Sequence, residues 1–456
     1  MQGFFYLLSF QMNHSRIIVD TIIEAKWIIP VDPYEVVLDQ HAIVINKGII
    51  VDILPLSTTR SRYHAQEIIS LDQHALIPGL INLHTHAAMT LMRGIADDLP
   101  LMEWLNKRIW PTEHQFINPQ FVFDGTQLAC AEMIAGGITC FNDMYFFPDS
   151  CAEAVINSGM RAAIGMVVID SPTTYANDCE DYLAKGLKVR DRYQDHSLLS
   201  FCLAPHAPYT VSDSTLRNIL TYAEQINVPI HMHIHESTSE IQMNLESTGI
   251  RPIERLHQLD LLGPDLIAVH MVHLTDYEIK LISQHGCSVA HCPSSNLKLA
   301  NGIAPIQALL EQGINVGIGT DSAASNNRLD ILSEMRQAAL LTKLNSEKAG
   351  ILSAHQFLKM ATLNSAKALG LEKTIGSLSI GKSADITAID FSHFDLQPCY
   401  DPVSHLVYVA DREHVSHVWV NGKILLNNKQ LMTLNSQELQ YRANFWQERI
   451  ATTLKH

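Results

Sequence analysis

The sequence has few of the features that mark nucleic-acid or membrane proteins. No run of Lys or Arg and no basic patch occurs along its 456 residues, and the formal charge is −15 with His neutral. An acidic chain of this kind argues against nucleic acid as a partner. No stretch approaches the roughly 18 consecutive apolar residues of a membrane span, so no membrane partner is expected. The opening MQGFFYLLSF is apolar but lacks the basic start and small-residue cleavage site of a signal peptide. The β-rich pattern starts after Met12, so residues 1–11 are expected to be a poorly ordered tail or a product of start-codon choice. The eight cysteines include no Cys-x-x-Cys pair. Scattered cysteines in a long acidic chain read as reduced thiols and a cytoplasmic location. Cys292, beside His291, reads as packing. Repeats and low-complexity segments are also missing.

What is present is a large apolar fraction, 47%, in a chain long enough for a barrel plus a satellite unit. From residue 76 to about 343, strand-like and helix-like segments alternate. Strand candidates end near His84, Tyr145, Ile169, His206, His235, His270, His291 and Asp321. Between them lie amphipathic stretches such as DSTLRNILTYAEQI (213–226) and YEIKLISQHG (277–286), the latter preceded by Thr275 with Glu278 three residues on, a capping-box pattern. Such alternation implies right-handed crossovers and a parallel sheet, and its count and length match a (β/α)8 barrel. The flanks instead hold short β-branched runs with Gly-Lys and Asn-Gly turns. The expected fold class is therefore α/β: a (β/α)8 TIM barrel over residues 75–376 with a small β-sandwich domain built from both chain ends, 1–74 and 377–456, and a terminal helix over 435–454.

The 23 histidines cluster at the ends of the strand-like runs. INLHTHAAMTLMRG (81–94) closes an apolar run with His84 and His86, two positions that project from one face of a strand. Further along come His206, then His231, His233 and His235 with Glu236, then His270 and His273, His291, and Asp321. Barrel enzymes carry their chemistry at the C-terminal ends of the strands. Ligand-type side chains at six such ends are poorly explained as core packing. Three imidazoles and a carboxylate suit one divalent cation, zinc first, with iron or manganese accepted by the same donors. Ligation lowers the pKa of a water from about 15.7 to near 7. Glu236, just past a strand end, fits the carboxylate needed to carry protons. Period 2 alone does not choose among His231, His233 and His235.

HTHAAMTLMRGIADDLPLMEWL (84–105), APHAPY (204–209), HIHE (233–236), HCPSSNLKLANGIAPI (291–306) and GTDSAASNN (319–327) together resemble the amidohydrolase superfamily along nearly the whole chain. They look like the branch that deaminates 5′-methylthioadenosine and S-adenosylhomocysteine, formerly confused with chlorotriazine hydrolases. The resemblance implies that His84, His86, His233 and Asp321 hold one metal ion, that Glu236 shuttles protons, and that His270 and Asp321 orient the reacting oxygen. It further implies that Trp104, His206 and His291 lie against the substrate, that Glu113 binds the ribose hydroxyls, and that Ser325 lies near them. A homo-oligomer with a small-molecule nucleoside substrate is expected. Met89, Met92 and Met102 are candidates for a thioether pocket, or for core at helical spacing.

Two departures bear on substrate. The segment AAIGMVVIDSPTTYANDCEDYL (162–183) has no Arg or Lys to clamp an amino-acid carboxylate, which favours the neutral methylthio nucleoside. Ser322 follows Asp321 where the family pattern has Gly, which implies a narrower pocket floor. The competing readings are an aminohydrolase or chlorohydrolase of a free purine or triazine base, and a non-catalytic barrel scaffold. Glu113 separates the first, since a free base has no ribose for it to hold. The complete ligand set speaks against the second.

Overall fold

The structure is a computed structural model and describes residues 16–453; the expectation for residues 1–11 lies outside them. The N-terminal flank supplies β1 (Ile17–Ile28), β2 (Leu38–Asn46), β3 (Ile49–Pro55) and β4 (Tyr63–Pro78). The central region supplies β5 (Leu80–Thr85), β6 (Ile138–Tyr145), β7 (Arg161–Val168), β8 (Leu199–Pro205), β9 (Ile230–Ile234), β10 (Leu266–His270), β11 (Ser288–His291) and β12 (Asn315–Ile318). The C-terminal flank adds β13 (Ile386–Asp390), β14 (Val415–Val420), β15 (Lys423–Asn427) and β16 (Gln430–Leu431).

Strands β5 to β12 pair in sequence order, each parallel to the next, with helices in the crossovers. This is the barrel expected from the strand–helix alternation. The two end strands meet through the chain that follows β12. Thr320 and Asp321 both donate backbone N–H bonds to the His84 carbonyl (3.1 and 2.9 Å). The Asn82 side chain donates to the Thr320 hydroxyl at 2.7 Å and accepts from the Thr320 N–H at 2.9 Å. Gly319 makes this closure possible, because a Cβ there would stand 2.8 Å from the His84 nitrogen.

The flanks join in one mixed sheet, in the order β16-β15-β14-β13-β4-β1-β2-β3, so both chain ends build the same β unit. Residues from both ends share one apolar cluster that includes Ile23, Ile43, Leu76, Ile386 and Trp419. Only Gly79 separates β4 from β5, and a Cβ at Gly79 would lie 2.1 Å from the Thr139 hydroxyl. The barrel is fastened to this sheet by Arg161, whose Nε and Nη2 donate to Asp385 at 3.0 and 3.2 Å. Both side chains are buried.

Local signals hold at several helices. The helix Asp276–His285 has the Thr275–Glu278 capping box, and the amphipathic stretch at 213–226 is the helix Asp213–Ile226. The terminal helix Ser436–Ala451 docks on the helix Pro119–Ala135, where Trp446 donates its indole N–H to Asp124 at 2.9 Å. No helix among the described residues is long and apolar enough to cross a membrane. All eight cysteines are free, and Cys292 is buried in the apolar core.

Candidate active site

The C-terminal ends of the barrel strands bring four distant side chains together. His84 and His86 come from the end of β5, His233 from β9, and Asp321 follows β12; their ligand atoms all lie within 4.8 Å of one another. His84 and His86 Nε2 each stand 3.3 Å from Asp321 Oδ1. His233 Nε2 is 3.2 Å from His84 Nε2. The outward ring nitrogens set the tautomers. His86 Nδ1 donates to the Met144 carbonyl at 2.5 Å, and His233 Nδ1 donates to the His206 carbonyl at 2.6 Å. Since a carbonyl only accepts, Nε2 of each ring carries a lone pair.

Burial disfavours the charged forms of His84 and His233: the His84 pKa falls to about 4, and that of His233 lies well below the usual histidine range. Burial pushes the Asp321 carboxyl up, but the hydrogen bond with His84 holds it well below the usual carboxylate range. Its Oδ2 accepts from the hydroxyls of Ser295 and Ser325 at 2.6 and 2.9 Å, and its Oδ1 accepts from the Ser322 N–H at 2.7 Å. Lone pairs of His86 and His233 and the Asp321 carboxylate thus face one point, with His84 beside them. That donor set fits a divalent cation, with outer hydrogen bonds fixing each ligand.

The three alternating histidines of β9 separate by depth. His231 lies one layer below, with Nε2 3.0 Å from His84 Nδ1. His235 follows the end of the strand, turns with φ 56°, and sends its Nδ1 to the His273 carbonyl at 2.9 Å. His270 and Asp321 also have positive φ, 73° and 60°. Backbone in this region costs energy for residues other than Gly and clusters at functional sites. Part of what holds it is Glu240, a buried residue whose carboxylate accepts the backbone N–H groups of both His235 and Glu236, each at 2.8 Å.

Glu236 and His270 stand at one side of the cluster, with Glu236 Oε2 3.8 Å from His270 Nε2. Burial pushes the Glu236 carboxyl up to about 8, helped by the charge of Asp321. His270 Nδ1 donates to Asn296 Oδ1 at 2.9 Å, which leaves its Nε2 as an acceptor toward the site. The helix Pro293–Lys298 therefore carries Ser295 and Asn296 to two different site groups.

The architecture and this cluster agree with what comparison with other proteins gives. The sequence model of the amidohydrolase family matches residues 75–425. The chain belongs to the amidohydrolase family. A 5-methylthioadenosine/S-adenosylhomocysteine deaminase of Saccharophagus degradans is 46% identical, over 94% of this chain and 97% of that protein. A 5′-deoxyadenosine deaminase of Methanosarcina mazei is 40% identical, over 92% of this chain and 96% of that protein. The crystal structure of an adenosine deaminase from Xanthomonas campestris with bound zinc superposes with a TM-score of 0.95 at 44% identity, covering 96% of this chain and all of that one.

In this amidohydrolase His86, His233 and Asp321 line a cavity of about 320 Å³, with His84 buried beneath them. Its wall includes Trp104, Glu113, His206, Glu236, His270 and Ser322. The buried indole N–H of Trp104 has no partner within the described chain. Glu113 accepts from the Tyr145 hydroxyl at 2.9 Å, and desolvation raises its carboxyl to about 7 despite that bond. His291 and Ser325 lie behind the lining rather than in it: His291 is buried at the end of β11, and Ser325 is spent on Asp321. Of the three methionines, Met89 lines the cavity and Met92 and Met102 pack in or against the core. Sequence reasoning missed Met144, Tyr145 and Phe146 as wall residues, although Tyr145 was placed at a strand end. It also missed Glu240, Asn296 and Asn301, which read as ordinary helix and loop polarity; the HCPSSNLKLAN motif was the available signal for the last two.

A second group of ligand-type side chains, His393, Asp395 and His414, lies away from the barrel mouth on the C-terminal flank. There His414 Nδ1 accepts the Asp411 N–H at 2.9 Å, so its Nε2 carries the proton and points it at Asp395, 3.3 Å away. That is a hydrogen bond already made rather than a lone pair offered to a cation.

Proposed function

We propose that this amidohydrolase removes the amino group of an adenine nucleoside by hydrolysis, with 5′-methylthioadenosine as the preferred substrate. The observation that carries the reading is the convergence of His84, His86, His233 and Asp321 on one point, with Glu236 and His270 beside it in the cavity wall. The names of relatives that match over nearly the full chain support the nucleoside, and the zinc in the Xanthomonas campestris structure supports zinc as the metal.

The reaction adds water at C6 of the purine, breaks the C6–N bond and releases ammonia. A divalent cation held by His84, His86, His233 and Asp321 supplies the positive charge that acidifies a water by many pKa units. Glu236 takes a proton from that water and passes it to the ring nitrogen next to C6; once the oxygen is bonded to C6, Glu236 takes that oxygen's remaining proton and delivers it to the leaving amine, so that ammonia departs and C6=O forms. Its raised pKa suits a group that must both accept and return a proton near neutrality. His270, locked by Asn296, offers Nε2 as an acceptor that orients the water, and Asp321 does so from the other side. The Trp104 face and His206 take the purine, and the Glu113 carboxylate accepts two hydrogen bonds from the ribose diol.

The choice among nucleosides rests on what the wall lacks. Among the described residues no Lys or Arg lines the cavity. Beyond β7 the wall is Ile169, Ser171, Pro172, Thr173 and Thr174, and Lys185 is engaged by the Tyr175 carbonyl at 2.6 Å and Asp181 at 2.9 Å. An amino-acid carboxylate would enter without a charged partner, at a cost in binding. A methylthio group meets no such penalty. For assembly, a homo-oligomer is proposed on the family resemblance alone. The test is ammonia release by purified, metal-analysed protein from adenosine, 5′-methylthioadenosine, S-adenosylhomocysteine, guanine and a chlorotriazine. The expected order has the methylthio nucleoside first and the free bases inert. Turnover confined to a free base would overturn the reading.

A further inference from the structure

The segment HCPSSNLKLAN (291–301) reaches the site three times. Ser295 and Asn296 hold Asp321 and His270, as described. The third contact is different in kind. Asn301 Nδ2 donates to Glu236 Oε1 at 3.0 Å, and it is the one side-chain hydrogen bond that Glu236 receives among the described residues. Both side chains are buried, at 7% and 6% exposure. Glu236 Oε2 makes no hydrogen bond; its neighbour is His270 Nε2 at 3.8 Å, and both atoms face the cavity.

We propose that Asn301 is the positioning residue for Glu236: its amide holds Oε1, and Oε2 is therefore the oxygen that takes and returns the proton. The inference rests on the deaminase reading above. Its chemistry follows from the donor inventory. An amide NH2 can only donate, so Oε1 remains an acceptor whether the carboxyl is charged or neutral, and the acidic hydrogen resides on Oε2. The carboxyl must serve twice, as base and then as acid, toward one substrate atom after another. A carboxyl free to rotate would present the wrong oxygen for part of each cycle. Misplacement of a reacting group by about 1 Å costs on the order of 10²-fold in rate.

The backbone is shaped for the task. Asn301 donates its N–H to the Asn296 carbonyl at 2.8 Å. It sits between Ala300 at φ 55° and Gly302 at φ 121°, and a Cβ on Gly302 would stand 2.9 Å from the Val272 side chain. From the opposite side Glu240 clamps the backbone N–H of Glu236. Backbone and one carboxyl oxygen are thus both fixed, which leaves the second oxygen a single direction.

The test is a double-variant cycle on the zinc-loaded protein with 5′-methylthioadenosine, using Asn301→Ala, Glu236→Gln and both together, with metal content and melting temperature recorded. Asn301→Ala is expected to lower kcat about 10²-fold with KM and zinc content little changed. In the Glu236→Gln background, followed by single turnover, the same substitution is expected to change the rate less than about twofold, because the group it positions is already gone. The solvent deuterium effect on kcat should rise in Asn301→Ala, as proton transfer becomes the slow step. Equal losses in both backgrounds, or no loss in the single variant, overturn the assignment. Should Asn301→Ala fail to fold, the isosteric Asn301→Asp, which sets an acceptor against an acceptor, carries the same cycle and the same two outcomes. A wild-type protein that releases no ammonia from any nucleoside overturns the deaminase reading and this inference with it; an active wild type with an additive cycle overturns this inference alone.

Discussion

At the scale of the residue, two carboxylates do different work because their surroundings differ. Glu236 lies deep beside the ligand cluster, and the account gives it the proton. Glu236→Gln should keep its zinc and lose about 10²- to 10⁴-fold in kcat, read by metal analysis and steady-state kinetics on one sample. Near-wild-type turnover in that variant would remove Glu236 from the mechanism. Glu113 is the proposed ribose acceptor, and desolvation raises its carboxyl from 4.5 to about 7, against the Tyr145 hydroxyl. Folding therefore disfavours its ionised form: the associated stability is full below about 4.5 and is lost as pH rises through about 7. The diol needs that ionised form. On these grounds kcat/KM for a nucleoside should fall as pH drops through about 8 and then 7, where Glu236 and Glu113 take up protons, and Glu113→Gln should make that limb shallower without removing it while raising KM roughly 10- to 100-fold. An unchanged KM would place the ribose elsewhere.

At the scale of the element, much of the molecule was legible and the reasons are physical. Strand periodicity put His84 and His86 on one face, and a parallel barrel gathers its strand ends at one rim, so distant imidazoles had to meet. The same rule could not separate His231, His233 and His235. The structure does so by depth and by the end of β9 at Ile234, which turns His235 away. Asn301 and Glu240 were not legible as site residues: a lone amide in a loop has no pattern of its own, and Glu240, three residues after the N-cap Ser237, reads only as a helix start. Their partners are 65 and 4 or 5 positions away and are set only by the fold. The two β-rich flanks were legible as partners, but not the side chains that fasten them to the barrel. Arg161 and Asp385 form that fastening with both groups buried. Arg161→Ala leaves Asp385 buried without its cation and should cost about 3–5 kcal/mol in chemical denaturation, while kcat of the folded fraction is retained. A change below about 1 kcal/mol would mean that the sheet packing alone carries the junction.

At the scale of the whole molecule, the proposed cation would tie the barrel's ends together. Its candidate ligands come from the ends of the first, fifth and eighth strands, so occupancy would stabilise the closed barrel by mass action. The same convergence makes the central claim directly measurable. Anomalous diffraction from crystals of the zinc-loaded protein, recorded at the zinc absorption edge, locates every bound ion. The account predicts one strong peak in the barrel, bounded by Nε2 of His84, His86 and His233 and by Oδ1 of Asp321. A barrel without a peak, or zinc seated instead at His393, Asp395 and His414, would contradict it.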